Sequence, residues 1–400
     1  MRKPWLTAAA LSVALCLPPA AAGADLTIYS SLPLAGSTRA EAQDIVRAEQ
    51  MALEQNSSRA GAFSIGFVSL NDASARTGAW TPLRTARNAR RAAQDATTIA
   101  YLGEFKAGAS AISIPVLNEA GILEISPSNA YVGLTRTEGA ERGEPEKYYP
   151  TDERTYGRVA PADHLQAAAI AALLQAERVK RVFIVSDTEV YGAGLAAMLR
   201  RRLAARGVKV AGRRPLRAHN AASIARAVRR SKADAMFFGG ITQNGAARLW
   251  RAVHRRNPRI ALFGPDALAE PAFTRGLSRA AARRTLLTTP ILAPSAYPPA
   301  AQAFYAAFRA RFGKEAEPYA LQGYEAMSLT LDAIRRAGAK GNDRASVVAA
   351  FRATRDRDSA LGRYSIDRNG DTTLSTYGVL GIGPRGRLVY DRTIESGAAV

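Results

Sequence analysis

The 400-residue chain holds one cysteine and three histidines, and aromatic residues make up only 7% of it. A single cysteine excludes an intrachain disulfide framework, and one cysteine with three scattered histidines excludes a zinc module. His164, His219 and His254 stand in separate segments, with no spacing that would bring two of them to one metal. No G-x-S-x-G elbow and no glycine-rich phosphate loop followed by lysine is present. Asp367-Arg368-Asn369-Gly370-Asp371 has the flavour of a calcium loop but lacks the alternating ligands and the terminal glutamate, so it reads as a hairpin turn. No cofactor or metal is expected, and no enzyme chemistry.

Long apolar runs are also missing. The longest, Leu6 to Leu17, is too short for a bilayer span of ~20 residues. It follows Arg2 and Lys3 and precedes Pro18-Pro19 and the small residues Ala20 to Ala24, the three-part layout of a secretory signal. Residues 1–24 are therefore expected to be removed, leaving Asp25 first and placing the protein in the periplasm or outside the envelope. Lipid anchoring through Cys16 is the alternative, but bulky Leu15 stands directly before it.

What the chain has in excess is positive charge, +21 overall, from 55 Lys+Arg against 34 Asp+Glu. Residues 157–289 alone hold 25 basic and 7 acidic side chains. The arginines fall at three- and four-residue spacings on helices (Arg226 with Arg229 and Arg230; Arg248 with Arg251, Arg255 and Arg256), as on one solvated face. Aromatics for stacking on bases are absent from these runs except Trp250, so nucleic acid is not an expected partner.

From Leu26 the pattern alternates strand and helix: strands at 26–29, 63–70, 98–102 and 122–125, helices at 40–54, 82–95 and 109–119. Leu134 to Thr155 interrupts it as a surface insertion or hinge approach. The alternation then resumes from His164 to Thr289, followed by three helices between Ala300 and Arg352 and a hairpin over Gly362 to Ile382 turning at Asn369-Gly370. This is α/β: two lobes, each a doubly wound parallel sheet. Small, polar residues mark five strand-to-helix junctions: Gly103 to Ser110; Ser126 to Asn129; Asp187 to Gly194; Gly239 to Asn244, with Ile241 and Thr242; and Gly264 to Asp266. Ligands of parallel sheets bind beyond the carboxyl ends of strands, so the five point to one small-molecule site between the lobes.

The order of motifs resembles the Leu/Ile/Val-type substrate-binding proteins of ABC importers, with the type I periplasmic binding fold. The matching stretches are Leu32-Pro33-Leu34-Ala35-Gly36, Ile114 to Ile122, Ile125-Ser126-Pro127, Val190 to Leu195, Asp234 to Gly240, and Ile366 to Asp371. The resemblance implies three hinge crossovers, near 156, 289 and 357, so that 25–156 with 290–357 form one lobe and 157–289 with 358–400 the other. It implies an amino-acid ligand, branched-chain or related, delivered to a membrane ABC permease, or sensed by a receptor using the same fold. Asp266 would meet the ligand's ammonium and Tyr191 would wall the pocket. Ser110 and Ser126, with Gly108 and Asn129 beside them, would serve its carboxylate, while Thr38, Arg39 and Tyr324 would form the rim. Where the family has hydroxyl residues this chain has Ala107 and Ala130, and Lys106 stands at the lip. Lys106 either replaces the lost donors, selects a more anionic ligand, or points to solvent.

Overall fold

A computed structural model describes residues 24–397. The expected signal segment, with Cys16, lies outside the described residues apart from Ala24.

The first lobe is a six-stranded sheet of β1 (Leu26–Leu32), β2 (Arg59–Ala60), β3 (Phe63–Asn71), β4 (Thr98–Leu102), β5 (Leu123–Ser126) and β6 (Tyr156–Arg158). Its spatial order is β2-β3-β1-β4-β5-β6, parallel except for the short edge strand β2. Helices α1 (Arg39–Gln55), α2 (Pro82–Gln94) and α3 (Ala107–Glu119) connect the strands. In the second lobe, β7 (Arg181–Ser186), β8 (Lys209–Pro215), β9 (Ala235–Gly239), β10 (Ala261–Gly264) and β11 (Thr285–Thr289) are parallel. They alternate with α4 (Asp163–Ala176), α5 (Val190–Leu203), α6 (Ala221–Arg230), α7 (Ala246–Arg256) and the short α8 (Pro271–Thr274) and α9 (Arg279–Ala282). The chain then returns to the first lobe as α10 (Pro299–Phe312), α11 (Ala320–Arg336) and α12 (Arg344–Arg352), with a small hairpin of β12 (Arg357–Ser359) and β13 (Gly362–Tyr364). It ends in β14 (Thr376–Ile382) and β15 (Leu388–Glu395), which extend the second sheet antiparallel to β11.

Strand composition explains the layering. β4, β5 and β9 are buried along their whole length, as strands covered on both faces must be. The covering helices split by face: in α6, Ile224, Ala225 and Val228 are buried while Arg226, Arg229 and Arg230 are exposed. In α7, Leu249, Trp250 and Val253 are buried while Arg248, Arg251, Arg255 and Arg256 are exposed. The arginine excess of this lobe is therefore a solvated surface.

Three expectations are corrected. The segment after Leu134 is more than a surface insertion: Leu134, Tyr148 and Tyr149 are buried in one apolar cluster with Ile114 of α3 and Met198 and Leu199 of α5. Arg136 pairs with Asp367 and Asp371, on the side of the alternative reading as a hinge approach. The rings of Tyr148 and Tyr149 supply buried area that the polar flanking residues concealed in the sequence. The Asn369-Gly370 turn exists, with Gly370 at φ 90°, but it closes only an isolated bridge between Ile366 and Thr372. The extended terminal hairpin is instead β14–β15, whose alternating burial is complete from Leu388 to Glu395. Finally, Ala360, Leu361, Tyr364 and Ile366 pack in the first lobe's core. The third crossing thus lies between β13 and β14, beyond 357.

The crossings are tied together by charge. Arg158, fully buried at the end of β6, donates through Nε to Asp371 Oδ1 at 2.8 Å. Its other nitrogens reach the carbonyls of Asn129 (3.3 Å) and Tyr131 (2.7 Å) and the Thr135 hydroxyl. Arg136 completes the clasp by pairing with Asp371 (2.7 Å) and Asp367. Burial alone would push the Asp371 carboxyl up, but the two guanidiniums outweigh it and hold the group below the usual carboxylate range. The stretch that looked like a calcium loop is the acidic half of this clasp. The fit is close: a Cβ on Gly370 would stand 2.2 Å from the Tyr156 carbonyl. Removing one partner of a buried ion pair costs ~3–5 kcal/mol. Arg158→Ala should therefore lower the unfolding free energy by about that amount in urea titrations, and a loss below about 1 kcal/mol would contradict the assigned role.

A second charge has no such compensation. Glu49 on α1 is fully buried against the sheet, and neither carboxylate oxygen is hydrogen-bonded, although the Ser30 hydroxyl lies nearby. Burial pushes its pKa up to about 8. A raised folded-state pKa means that the native state holds the proton longer than the unfolded chain, so stability declines as pH rises from about 4.5 to about 8. Glu49→Gln is expected to raise the melting temperature at pH 8 and to flatten that decline. Identical pH profiles for variant and parent in calorimetry would refute it.

Candidate functional site

Asp266 follows β10 and lies between the lobes. Gln166 Nε2 donates to its Oδ1 at 2.7 Å and the Tyr191 hydroxyl to the same oxygen at 3.2 Å. Both donors belong to the second lobe, on α4 and α5. The Tyr319 hydroxyl donates to Oδ2 at 3.2 Å from the first lobe, where its ring meets Phe105 edge-on at 5.8 Å. Three donors from two lobes thus converge on one carboxylate. Burial, followed by the Asp266 charge, pushes the Tyr191 and Tyr319 hydroxyls well above the usual phenol range, so both stay protonated donors.

The local sequence explains these placements. α4 reads DHLQ before a run of alanine and leucine, so its polar residues cluster in the first turn, at the inter-lobe end. Tyr191 opens α5 over Gly192, whose Cβ would stand 2.2 Å from Asp187 Oδ1 and 2.6 Å from the Gly239 carbonyl. Only glycine permits that approach. Asp187 in turn binds the Ile241 N–H (2.9 Å) and the Asn244 amide (3.0 Å), and Thr242 reaches the Ala267 carbonyl at 3.4 Å, next to Asp266. The third, fourth and fifth junctions are therefore laced together behind the acid.

On the first lobe, Lys106 is exposed before α3, its ammonium 4.7 Å over the Phe105 ring. Ala107 and Gly108 open the helix, and Trp80 covers Gly108 so closely that a Cβ there would stand 2.8 Å from the indole. Glu41 on α1 is half-buried. Burial pushes its pKa up to about 7, opposed by Lys106 and reinforced by Glu317 and Asp266. Lys106 and Glu41 therefore belong to the electrostatic surroundings of Asp266.

The first two junctions hold a different arrangement from the expected ligand hydroxyls. Ser126 Oγ donates to the Glu104 carbonyl (2.8 Å) and accepts from the N–H groups of Ser128 (3.2 Å) and Asn129 (2.9 Å). Asn129 Nδ2 donates to the Ser110 Oγ (2.5 Å) and the Glu104 carbonyl (3.1 Å), and Ser110 also accepts from the Glu104 N–H (3.3 Å). Ser110, Ser126 and Asn129 are thus engaged with one another, fixing the two loops. Below them lies a buried acidic group: Glu104 accepts from Tyr101 (2.7 Å) and Ser31 (3.2 Å), with Asp72 beside it and Glu124 bonded by Ser113 (2.8 Å). Burial, then mutual repulsion with Asp72, pushes Glu104 well up.

Tyr324 is not at the rim. It packs, half-buried, against the outside of the first lobe's core, on Phe304 at 5.0 Å between centroids, and bonds Gln55 at 2.6 Å. Tyr319, one helical turn earlier and before α11, takes the rim position. Thr38 and Arg39 stand at the start of α1, Thr38 half-buried and Arg39 exposed, and it is Glu41 that comes into electrostatic reach of Asp266. Gln166, Tyr319, Glu41 and Trp80 were missed. The polar first turn of α4 and the aromatics just before α2 and α11 were the signals that could have found them.

Residues 30–383 match the periplasmic binding protein family. The chain belongs to that family. It is 26% identical over 360 residues to the Leu/Ile/Val-binding protein BraC3 of Rhizobium johnstonii, covering 89% of this chain and 91% of the relative. Among solved structures it resembles the leucine-binding protein LivK of Thermotoga maritima, at TM-score 0.74 and 23% identity, over 92% of this chain and 99% of that one. It also resembles a Desulfitobacterium hafniense ABC transporter substrate-binding protein in complex with Leu, at TM-score 0.75 and 19% identity, over 91% and 99%. The fold is the type I periplasmic binding fold, as the motif order implied.

Because Ser126 is saturated by protein partners, its loss should act on stability. Ser126→Ala is expected to destabilise the protein by ~1–3 kcal/mol, the cost of leaving buried groups unpaired. Chemical denaturation would measure it, and an unchanged midpoint would contradict the bonding described.

Proposed function

We propose that this chain is the extracytoplasmic solute-binding protein of an ABC importer, and that it captures an amino acid between its lobes with Asp266 as the ammonium partner. The observation that carries this reading is the convergence of Gln166, Tyr191 and Tyr319 on Asp266: donors from both lobes hold one carboxylate at the cleft. An ammonium is the ligand group such a carboxylate suits, with N–H donors on a full positive charge. For the ligand's carboxylate, Lys106 and the first-turn N–H groups of α3 at Ala107 and Gly108 offer positive potential. Ala107 brings no hydroxyl there, so the charge of Lys106 carries more of the task. Trp80 and Tyr191 wall the space.

Contacts to both lobes favour the closed arrangement over the open one, and a permease that recognises the closed form receives the loaded protein. In this reading the crossings, held by Arg158, are the fixed point of the closure. Asp266→Ala should weaken amino-acid binding at least tenfold, the effect of losing one charge-assisted contact of about 1.4 kcal/mol or more. Titration calorimetry giving the parent's affinity would remove Asp266 from the site.

A further inference from the structure

Asp163, the first residue of α4, is fully buried, and neither of its carboxylate oxygens has a hydrogen-bond partner. Its placement is nevertheless fixed, because its backbone N–H donates to the Ala130 carbonyl at 2.7 Å. The charges it feels most are Asp266, which repels it, and Arg158. Arg158 cannot serve it as a partner, since its guanidinium is committed to Asp371, Thr135 and two carbonyls. Protonation does not resolve the site either: a neutral carboxylic acid must still donate its proton, and both oxygens lack a partner.

A second unsatisfied group lies in the same place. The Tyr377 hydroxyl, on β14, is buried and without a partner, and it feels both Asp163 and Asp266. Its ring packs against Leu165 and Ala169 on the next turns of α4. Gln166, three residues on and on the same face of α4, donates to Asp266 at 2.7 Å, so a buried carboxyl and a buried phenol, both unbonded, stand beside the inter-lobe acid. Buried polar groups are paired in all but a few cases, and each exception calls for an explanation, of which a bound cation is the one that would answer an unpaired carboxyl and an unpaired phenol together. Counting charge identifies its sign. Asp163, Asp266 and Glu41 interact with one another through Asp266, whereas Lys106 is the lysine that counters Glu41. The hinge arginines are balanced by Asp367 and Asp371. A zwitterion with an apolar side chain brings one ammonium and leaves Asp163 as it is.

We propose that Asp163, with the Tyr377 hydroxyl beside it, is a second cation-binding group of the inter-lobe site, and that the ligand carries a second cationic nitrogen besides the one at Asp266: a basic amino acid or a related diamine. This rests on the reading of the cleft as an amine-binding site and narrows it to a ligand class.

The test uses the full mature chain with L-ornithine, L-lysine, L-arginine and 1,4-diaminobutane against L-leucine and L-isoleucine, in thermal-shift and calorimetric titrations. The basic ligands should bind at least tenfold tighter than leucine. Asp163→Asn should remove that preference while keeping the parent's stability, because burial already pushes the carboxyl's pKa well up and favours its neutral form, which the amide matches in size. Tyr377→Phe should weaken the basic ligands by a smaller factor, and Asp266→Ala should weaken all six. Should leucine or isoleucine bind while the basic ligands do not, or should both Asp163→Asn and Tyr377→Phe keep the parent's preference, this inference is overturned and the amino-acid reading stands. If none of the six binds, the amino-acid reading falls and this inference with it.

Discussion

A buried guanidinium organises this molecule from the middle. Arg158 pairs with Asp371 across two crossings, and its remaining donors hold the carbonyls of Asn129 and Tyr131. The loop so held presents the Ala130 carbonyl that fixes the start of α4, and α4 carries Gln166 to Asp266. Desolvating an arginine is costly unless its donors find acceptors, and here each of the three nitrogens has at least one. That requirement for pairing sets the mutual positions of the hinge, the second junction and the acid at the cleft.

Much of the fold was legible because its signals are local. Strands buried in the sheet read as short apolar runs, and helices with an arginine face read by their spacing, so β3, β4 and α2 fall within a residue of expectation. The terminal hairpin was not legible. An Asn-Gly turn signals a reversal of the chain, but whether the arms pair depends on what lies beside them, and here the turn is recruited by Arg158. The segment after Leu134 misled for a similar reason: its glycines and charges are local, while the burial of Tyr148 and Tyr149 is a tertiary event. Of the candidate site, Asp266 and Tyr191 were named by position, and the structure brings the two together. The hydroxyls of Ser110 and Ser126 were assigned to a ligand because a sequence does not show that neighbouring loops consume them. Tyr319 was missed in favour of Tyr324 because both flank the same helix start and only packing separates them.

Surface and interior of the second lobe carry opposite signs. Its arginines are displayed on α6 and α7, while Asp163, Asp187 and Asp266, three of the seven acids in residues 157–289, are gathered at the cleft side. The basic exterior supports solubility and repels copies of the chain. Near the cleft, Glu41 and Asp163 each feel Asp266, while Lys106 counters the first and Arg158 the second. Net charge is thus a poor guide to what the cleft attracts.

The phenol of Tyr319 reaches Asp266 from the opposite lobe, on the oxygen an arriving amine would share. The protein therefore carries an internal competitor, a weak neutral stand-in tethered at high effective concentration. If Asp266 takes the ammonium as proposed, each capture would exchange a phenol contact for an ammonium contact and each release would reverse the exchange, so the acid would pass from one donor to another without being stripped bare. Such a relay trades some binding strength for a faster departure of the cargo, a property that suits a carrier more than a store.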